Sequence, residues 1–357
     1  MNLRIPGPTP LPPDVLQAVG QQMINHRGPE FEAMFADLTK WLKVFYETEN
    51  DVYILTSSGT GGMEAAVVNT LSPGDRVLCV TIGVFGQRFA EIAEAYGADV
   101  TRMAYPMGTA AKPDQVAAKI ADEGPFAAVI FTQNETSTGV TNDVEGLCHA
   151  IKAAQSPSPL VLVDGISGLG AIRVQMDAWG VDVLVAGSQK AWMAPPGLAF
   201  IGFGPKAWEA YACARMPRYY FDLGQAKAYA AKNQTPATPN VSAMYGLHVS
   251  LQRMVAEGPA KVAARHQQIG EYCRQGCLKL GLKLFAEPGY YSNTVTAATL
   301  GAGISAKKIL ESLRVKYNII CGSTKAPGVE MLRIGHMGYV SEADLDEVFA
   351  ALRELLA

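Results

Sequence analysis

Between Asp51 and Gly204, short apolar runs alternate with segments of helical periodicity, and this alternation restricts the fold more than any other feature of the chain. The runs fall at 52–55, 77–82, 127–131, 160–163, 181–186 and 198–203. Most are continuously apolar rather than alternating, as in strands covered on both faces. After the first run, Met63, Ala66, Val67 and Thr70 share one helical face. Repetition of this kind predicts an α/β fold with a mostly parallel sheet covered by helices. From Ser242 the pattern turns helical, through Leu247, Leu251 and Met254 to Leu280. Apolar runs at 282–285, 294–298 and 331–334, with helices near 306–315 and from Glu342, then predict a compact α+β unit of about 100 residues. The stretch 5–13 holds too much proline for helix or inner strand and should be an extended arm. A chain of 357 residues is too long for one simple core. The expected division is an arm at 1–14, a large domain at 15–257 and a smaller C-terminal domain at 258–357.

The charge balance removes several function classes. A net charge of −3 gives no pull toward nucleic acid or an anionic membrane, so neither is expected as a partner. No apolar run approaches the roughly 20 residues of a membrane span. No apolar leader core follows Met1-Asn-Leu-Arg-Ile-Pro. Cys79, Cys148, Cys213, Cys273, Cys277 and Cys321 are scattered. Cys273 and Cys277 lie one helical turn apart, but no nearby Cys/His pair completes a zinc set. The expectation is a cytoplasmic protein with reduced thiols and no metal.

Three segments carry candidate chemistry. In Thr56-Ser-Ser-Gly-Thr-Gly-Gly-Met-Glu64 a buried strand ends and a helix begins. Free N–H groups and the positive helix end favour an anion there; Gly59 lets the backbone approach a phosphate, and Ser58 and Thr60 add hydroxyl donors. An ordinary strand–helix turn with a Ser/Thr cap would read the same way. In Leu160-Val-Leu-Val-Asp164, an acid stands at the carboxyl end of a buried strand, the edge where open α/β sheets bind ligands. A buried carboxylate needs a partner, and a protonated ring nitrogen would serve; a turn cap is the simpler alternative. Twenty-six residues on, Lys190 follows another buried strand, among small and apolar residues. A desolvated lysine tends to lose its proton, which suits covalent amine chemistry, although most lysines are merely solvated.

Ser188-Gln-Lys190, followed by Ala194-Pro-Pro-Gly197, resembles the lysine motif of alanine–glyoxylate and serine–glyoxylate aminotransferases, in class V of the fold-type-I pyridoxal-phosphate (PLP) enzymes. Further segments match in the family's order. Ile5-Pro-Gly-Pro-Thr-Pro10 resembles the N-terminal arm, and Gly83-Val-Phe-Gly-Gln-Arg88 the segment whose aromatic residue stacks on the cofactor ring. Glu135-Thr-Ser-Thr-Gly139 resembles the loop at the ring's phenolic edge. Gln234-Thr-Pro-Ala-Thr-Pro239 resembles a loop that reaches a phosphate across a dimer interface. Leu332-Arg333-Ile-Gly-His-Met-Gly338 resembles the segment of the substrate-carboxylate arginine.

The resemblance implies a PLP-dependent aminotransferase and a homodimer with shared active sites. Lys190 would carry the cofactor as a Schiff base, and Asp164 would keep its pyridine nitrogen protonated. Phe85 would supply a flat face, smaller than the tryptophan of several relatives. Thr136, where relatives often have serine, would donate to the ring oxygen. Ser58, Gly59, Thr60, Gln189, Thr238 and, where some relatives have tyrosine, Thr235 would take the phosphate. Arg333 would clamp the substrate carboxylate bidentately. The implied reaction moves an amino group from a small amino acid, alanine or serine, to glyoxylate or pyruvate. His26 and Arg27 are candidates for the dimer interface, and His336 for a structural role. Two rival readings stand beside this one. Cysteine desulfuration uses the same fold and lysine but needs a mobile catalytic cysteine; in that branch histidines usually occupy the positions of Phe85 and Gln189. An accessory role in a soluble hydrogenase has been attached to relatives of this kind.

Overall fold

The computed structural model describes residues 1–324 and 328–356. All six expected runs form strands, bounded within a residue or two of the expected limits. They are β2 (Val52–Leu55), β3 (Arg76–Thr81), β5 (Ala128–Thr132), β8 (Leu160–Asp164), β9 (Val183–Gly187) and β10 (Ala199–Phe203). With β4 (Asp99–Ala104) they make a seven-stranded sheet in the order β2-β10-β9-β8-β5-β3-β4. Only β10 runs against its neighbours. Alternate residues of each inner strand feed separate cores on the two sheet faces: Leu78 and Val80 of β3 go to one, Val77 and Cys79 to the other. Burial on both faces is why these strands read as unbroken apolar runs. Strand β4 has no such run. It is an edge strand whose Asp99 and Arg102 face water, so apolar patterning did not reveal it.

The order of the sheet fixes where a ligand can enter. From β3 the chain moves outward to β4, then returns to place β5 on the other side of β3 and continues to β8 and β9. The succession reverses between β3 and β5, and the loops leaving their carboxyl ends diverge there. Open α/β sheets bind ligands at that crevice. Helix α3 (Gly59–Thr70) follows β2, and α4 (Val84–Ala95) follows β3; α1 (Pro13–Val19) and α2 (Pro29–Tyr46) precede them. A short hairpin, β6 (Asn134–Glu135) with β7 (Val140–Thr141), follows β5.

The helical stretch after Ser242 is two helices, Val241–Glu257 and Pro259–Lys279, broken at Gly258. Gly258 has φ +88°, and Pro259 starts the second helix where its missing N–H costs nothing. Beyond it, β11 (Lys283–Leu284), β12 (Val295–Thr299) and β14 (Met331–Gly335) form an antiparallel sheet. Helices Ala306–Tyr317 and Glu342–Leu356 pack there around Leu313, Leu332 and Leu352. This is the smaller α+β unit of the expected architecture. The arm is extended as expected, but its first residues are a strand: β1 (Asn2–Arg4) pairs in parallel with β13 (Ile319–Cys321). The arm therefore spans from the C-terminal unit to the edge of the large sheet. All six cysteines are free, five of them buried. No helix among the described residues is long and apolar enough to cross a membrane.

Candidate active site

The parallel strands β2, β3, β5, β8 and β9 deliver their carboxyl ends to one edge, and most candidate residues stand just past those ends. Asp164 is the last residue of β8 and is 3% exposed. Its Oδ1 accepts the Ile166 N–H at 2.9 Å and its Oδ2 the Thr132 hydroxyl at 3.3 Å. Burial raises its pKa to about 6 against the pull of the Ile166 N–H, and Glu135 adds to the rise while Lys190 opposes it. Lys190, three residues past β9, is 9% exposed and has no ion-pair partner among the described residues. Burial lowers its pKa to about 8; Asp164 resists, and the cations Arg333 and Arg88 reinforce the fall. A buried amine that sheds its proton near pH 8 is a nucleophile and a base.

The arm crosses directly over this lysine. Lys190 Nζ donates to the Pro6 carbonyl. The Thr9 hydroxyl donates to the Lys190 carbonyl at 3.1 Å. Gly7, at φ +106°, leaves room for the amine: a Cβ there would lie 2.7 Å from Nζ. Nothing in the arm's local sequence pattern points to a contact with the lysine.

At the end of β2, Ser58 caps α3 by accepting the Gly61 N–H at 3.5 Å. Gly59 has a second reason to be glycine, since a Cβ would fall 2.7 Å from Ile166 Cδ1. The Thr60 hydroxyl accepts a long bond from Arg88 Nη1 at 3.4 Å, and the Arg88 guanidinium lies 4.9 Å from the Phe85 ring centre. Arg88 thus sets a positive charge beside the helix end, a role its place three residues after Phe85 does not reveal until α3 and α4 are brought together. Gln189 Oε1 is buried with no hydrogen-bond partner, an orphan acceptor whose amide carries donors as well.

Thr136 follows β6 and is 1% exposed. Its carbonyl accepts Arg333 Nη1 at 3.0 Å, and the Ser323 carbonyl accepts Nη2 at 2.6 Å. Arg333, on β14, is half-buried, its Nε has no partner, and it makes no ion pair among the described residues. Burial lowers its pKa and Glu135 resists. A guanidinium held open by neutral carbonyls is suited to an incoming carboxylate. Thr235 and Thr238 share a pocket with Leu55 and Thr56 at the end of β2. The Thr235 hydroxyl donates to the Ala237 carbonyl at 2.8 Å, and Thr238 is exposed. Arg27 pins their loop, donating to the Thr235 carbonyl at 2.6 Å and to Gln234 Oε1 at 3.1 Å. His26 is half-buried nearby in sequence. His336 is fully buried against Thr296 at 2.9 Å, and burial lowers its pKa to about 3, so it stays neutral.

These features test the fit of PLP. A buried amine deficient in protons, a buried acid at the next strand end, a helix N-terminus flanked by hydroxyls and a guanidinium, and an orphan amide at Gln189 match an aldehyde, a pyridine nitrogen and a phosphate. The fold and this constellation define a PLP-dependent enzyme of fold type I. The class-V aminotransferase family model matches residues 1–347. A protein named as the small subunit of a soluble hydrogenase, from Synechococcus sp. (strain PCC 6716), is 40% identical over 99% of this chain and 92% of its own length. An L-aspartate–glyoxylate aminotransferase of Paracoccus denitrificans is 40% identical over 95% of this chain and 87% of its own. The solved structure of an alanine–glyoxylate aminotransferase from Nostoc sp. superposes with a TM-score of 0.94 at 29% identity, covering 99% of this chain and 95% of that one. The chain belongs to the class V aminotransferases, and PLP is its cofactor.

Proposed function

We propose that this aminotransferase moves the amino group of alanine or serine to glyoxylate or pyruvate, at a site centred on Lys190. The observation that carries this reading is the juxtaposition of a buried amine of pKa about 8 with a cation, Arg333, that lacks a counter-ion among the described residues. PLP, when bound, supplies an aldehyde for amines and a ring that accepts electrons. Lys190 would bond it, Asp164 would hold a proton on its ring nitrogen, Phe85 would cover one face and the Thr136 hydroxyl would donate to its ring oxygen. Ser58, Gly59, Thr60 and Gln189 take the phosphate, with Arg88 adding charge. Arg333 fixes the donor's carboxylate so that the α-carbon faces Lys190. Lys190 Nζ, whose lowered pKa makes its neutral form far more available than an ordinary lysine's, would take the proton from that carbon. Glyoxylate acceptors named for two of the similar proteins support the acceptor side.

The active form is a homodimer, in which the partner subunit's Thr235 and the partner subunit's Thr238 complete the phosphate site. The exposure of Thr238 and the likeness of residues 234–239 to a loop that reaches across a dimer interface support this, and sedimentation of a fully active monomer would refute it. Residues 15–257 and 258–357 act as separate domains with the arm at 1–14 as a strap, which limited proteolysis at the Gly258 break tests. Free thiols fit a cytoplasmic location, to be checked by cell fractionation. Desulfuration lacks its thiol: the only exposed cysteine, Cys213, lies by Ser72, past the far end of α3 from Ser58. The hydrogenase name of one relative offers an accessory role, but such a role needs neither the buried amine nor the open guanidinium.

The test is a spectral half-reaction. The PLP-loaded protein is mixed with single amino acids while its visible band is followed, and borohydride then locates the cofactor. Loss of the band with alanine or serine, and an adduct at Lys190, are expected. No loss with either donor, or an adduct on another lysine, would sink the reading. Arg333→Lys should keep PLP bound and slow both half-reactions, because lysine keeps the charge and loses the fork. The expected loss in kcat/KM is about 1.5–3 kcal/mol, or roughly ten- to a hundred-fold. Donor amines without a carboxylate should be spared; equal slowing of both would mean that Arg333 acts through structure.

A further inference from the structure

Glu135 has no role in the reading above, yet its side chain lies at the point where the strand succession reverses. It is 0% exposed, with no ion pair among the described residues. A buried carboxylate is costly unless hydrogen bonds replace its water. Here they do: Oε2 accepts the N–H groups of Phe85 at 2.9 Å and Gly86 at 3.3 Å. Oε1 accepts the Ser137 N–H at 3.0 Å and the Ser137 hydroxyl at 2.5 Å. Phe85 and Gly86 lie in the first turn of α4, whose free N–H groups favour an anion. One carboxylate therefore joins the segment after β3 to the loop after β5.

The joint extends further on both sides. Ser137 Oγ also accepts the Val84 N–H at 3.3 Å, so the loop grips α4 twice. Gly83 makes room for the crossing, since a Cβ there would lie 2.5 Å from Glu135 Cγ. The Glu135 carbonyl accepts the N–H groups of Thr138 at 3.2 Å and Gly139 at 2.9 Å, closing the turn that presents Thr136. From the Thr136 carbonyl hangs Arg333. An ordinary helix cap ties down one helix; this one links three pieces of the site.

We propose that Glu135 is a positioning residue that holds Phe85, Thr136 and, through Thr136, Arg333 in one register, so that cofactor ring and substrate carboxylate are gripped together. The inference rests on the roles proposed above for those three residues. Its charge also favours the charged form of Arg333 and disfavours ionisation of Asp164. Glutamine cannot substitute. Its oxygen satisfies one pair of donors, while its NH2 meets N–H donors on the other side. Either α4 or the Thr136 loop must then let go.

The test compares the PLP-loaded wild type with Glu135→Gln. Three quantities are read: visible circular dichroism per bound PLP, the PLP dissociation constant, and the KM ratio of an amino-acid donor to an amine lacking the carboxylate. In Glu135→Gln the dichroism should fall by about half or more, PLP should bind roughly tenfold more weakly, and the KM ratio should rise about tenfold. A wild-type borohydride adduct away from Lys190 would overturn both this inference and the function it rests on. A wild-type adduct at Lys190, with dichroism and KM ratio unchanged in Glu135→Gln, would overturn this inference alone, even if thermal stability fell. Should Glu135→Gln fail to fold, Ser137→Ala removes one of the four donors and should shift the same quantities about threefold; no shift there would overturn the proposal equally.

Discussion

Lys190→Ala is expected to lower transamination by about five to six orders of magnitude, the scale on which a nucleophile and base acting as one unit fails. The protein should still bind PLP, but borohydride should no longer fix it. The loss is large because one amine does two jobs, bonding the aldehyde and moving the α-proton. A small primary amine in solution should restore a part of the rate, because it supplies a base without its tether; no recovery at any amine concentration would leave Lys190 with the bonding role alone. The sign of the pH dependence follows from the lowered pKa. Attachment needs the neutral amine, so its rate should rise with pH and level off above about 8. An ordinary lysine of pKa 10.5 would be only about 0.3% neutral at pH 8, and its rate would still climb at pH 10. A limb without a plateau there would show that burial does not tune Lys190.

The large sheet was legible because its inner strands are buried on both faces and leave unbroken apolar runs. The places of Lys190 and Asp164 at the sheet edge were legible for the same reason, since Asp164 ends one such run and Lys190 stands three residues past another. The elements that escaped lack that contrast. Strand β4 keeps one side in water, and β1 sits in an arm whose prolines hide three pairing residues. Contacts between distant segments were also out of reach. Nothing in Pro6 or Gly7 announces a lysine 184 positions away from Pro6, and that glycine is explained by its φ of +106° and by the lysine amine a Cβ would meet. Glu135 was visible as part of Glu-Thr-Ser-Thr-Gly, but its task depends on β3 and β5 being neighbours. Strand adjacency is set by the order of the sheet, which local patterns do not encode. Thr235 and Thr238 lie outside any single chain's account, since their proposed partner is another subunit.

Asp164→Asn is expected to weaken the enzyme and strengthen the empty protein. In the PLP-loaded form, asparagine offers the ring nitrogen no charge, so keeping a proton there would mean burying a cation without its counter-ion. Breaking such a pair costs about 3–5 kcal/mol, so turnover should fall by roughly two to four orders of magnitude. Without PLP the same carboxylate has no cation bonded to it. Its pKa of about 6 lies above the ordinary 3.8, so the folded protein holds a proton that the unfolded chain has released between those values. Stability then falls as pH rises from about 4 to 6, and above that the full cost is felt: two units correspond to about 3 kcal/mol. Asparagine Oδ1 can still accept the Ile166 N–H, and its NH2 can donate to the Thr132 hydroxyl, so the substitution removes the charge and keeps the bonds. Urea unfolding of apo Asp164→Asn at pH 7 should show greater stability than the wild type, by up to about 3 kcal/mol, with the difference vanishing near pH 4. If the apo variant were instead less stable at pH 7, Asp164 would be a structural cap of the turn at Ile166, and its place beside the cofactor would need another explanation.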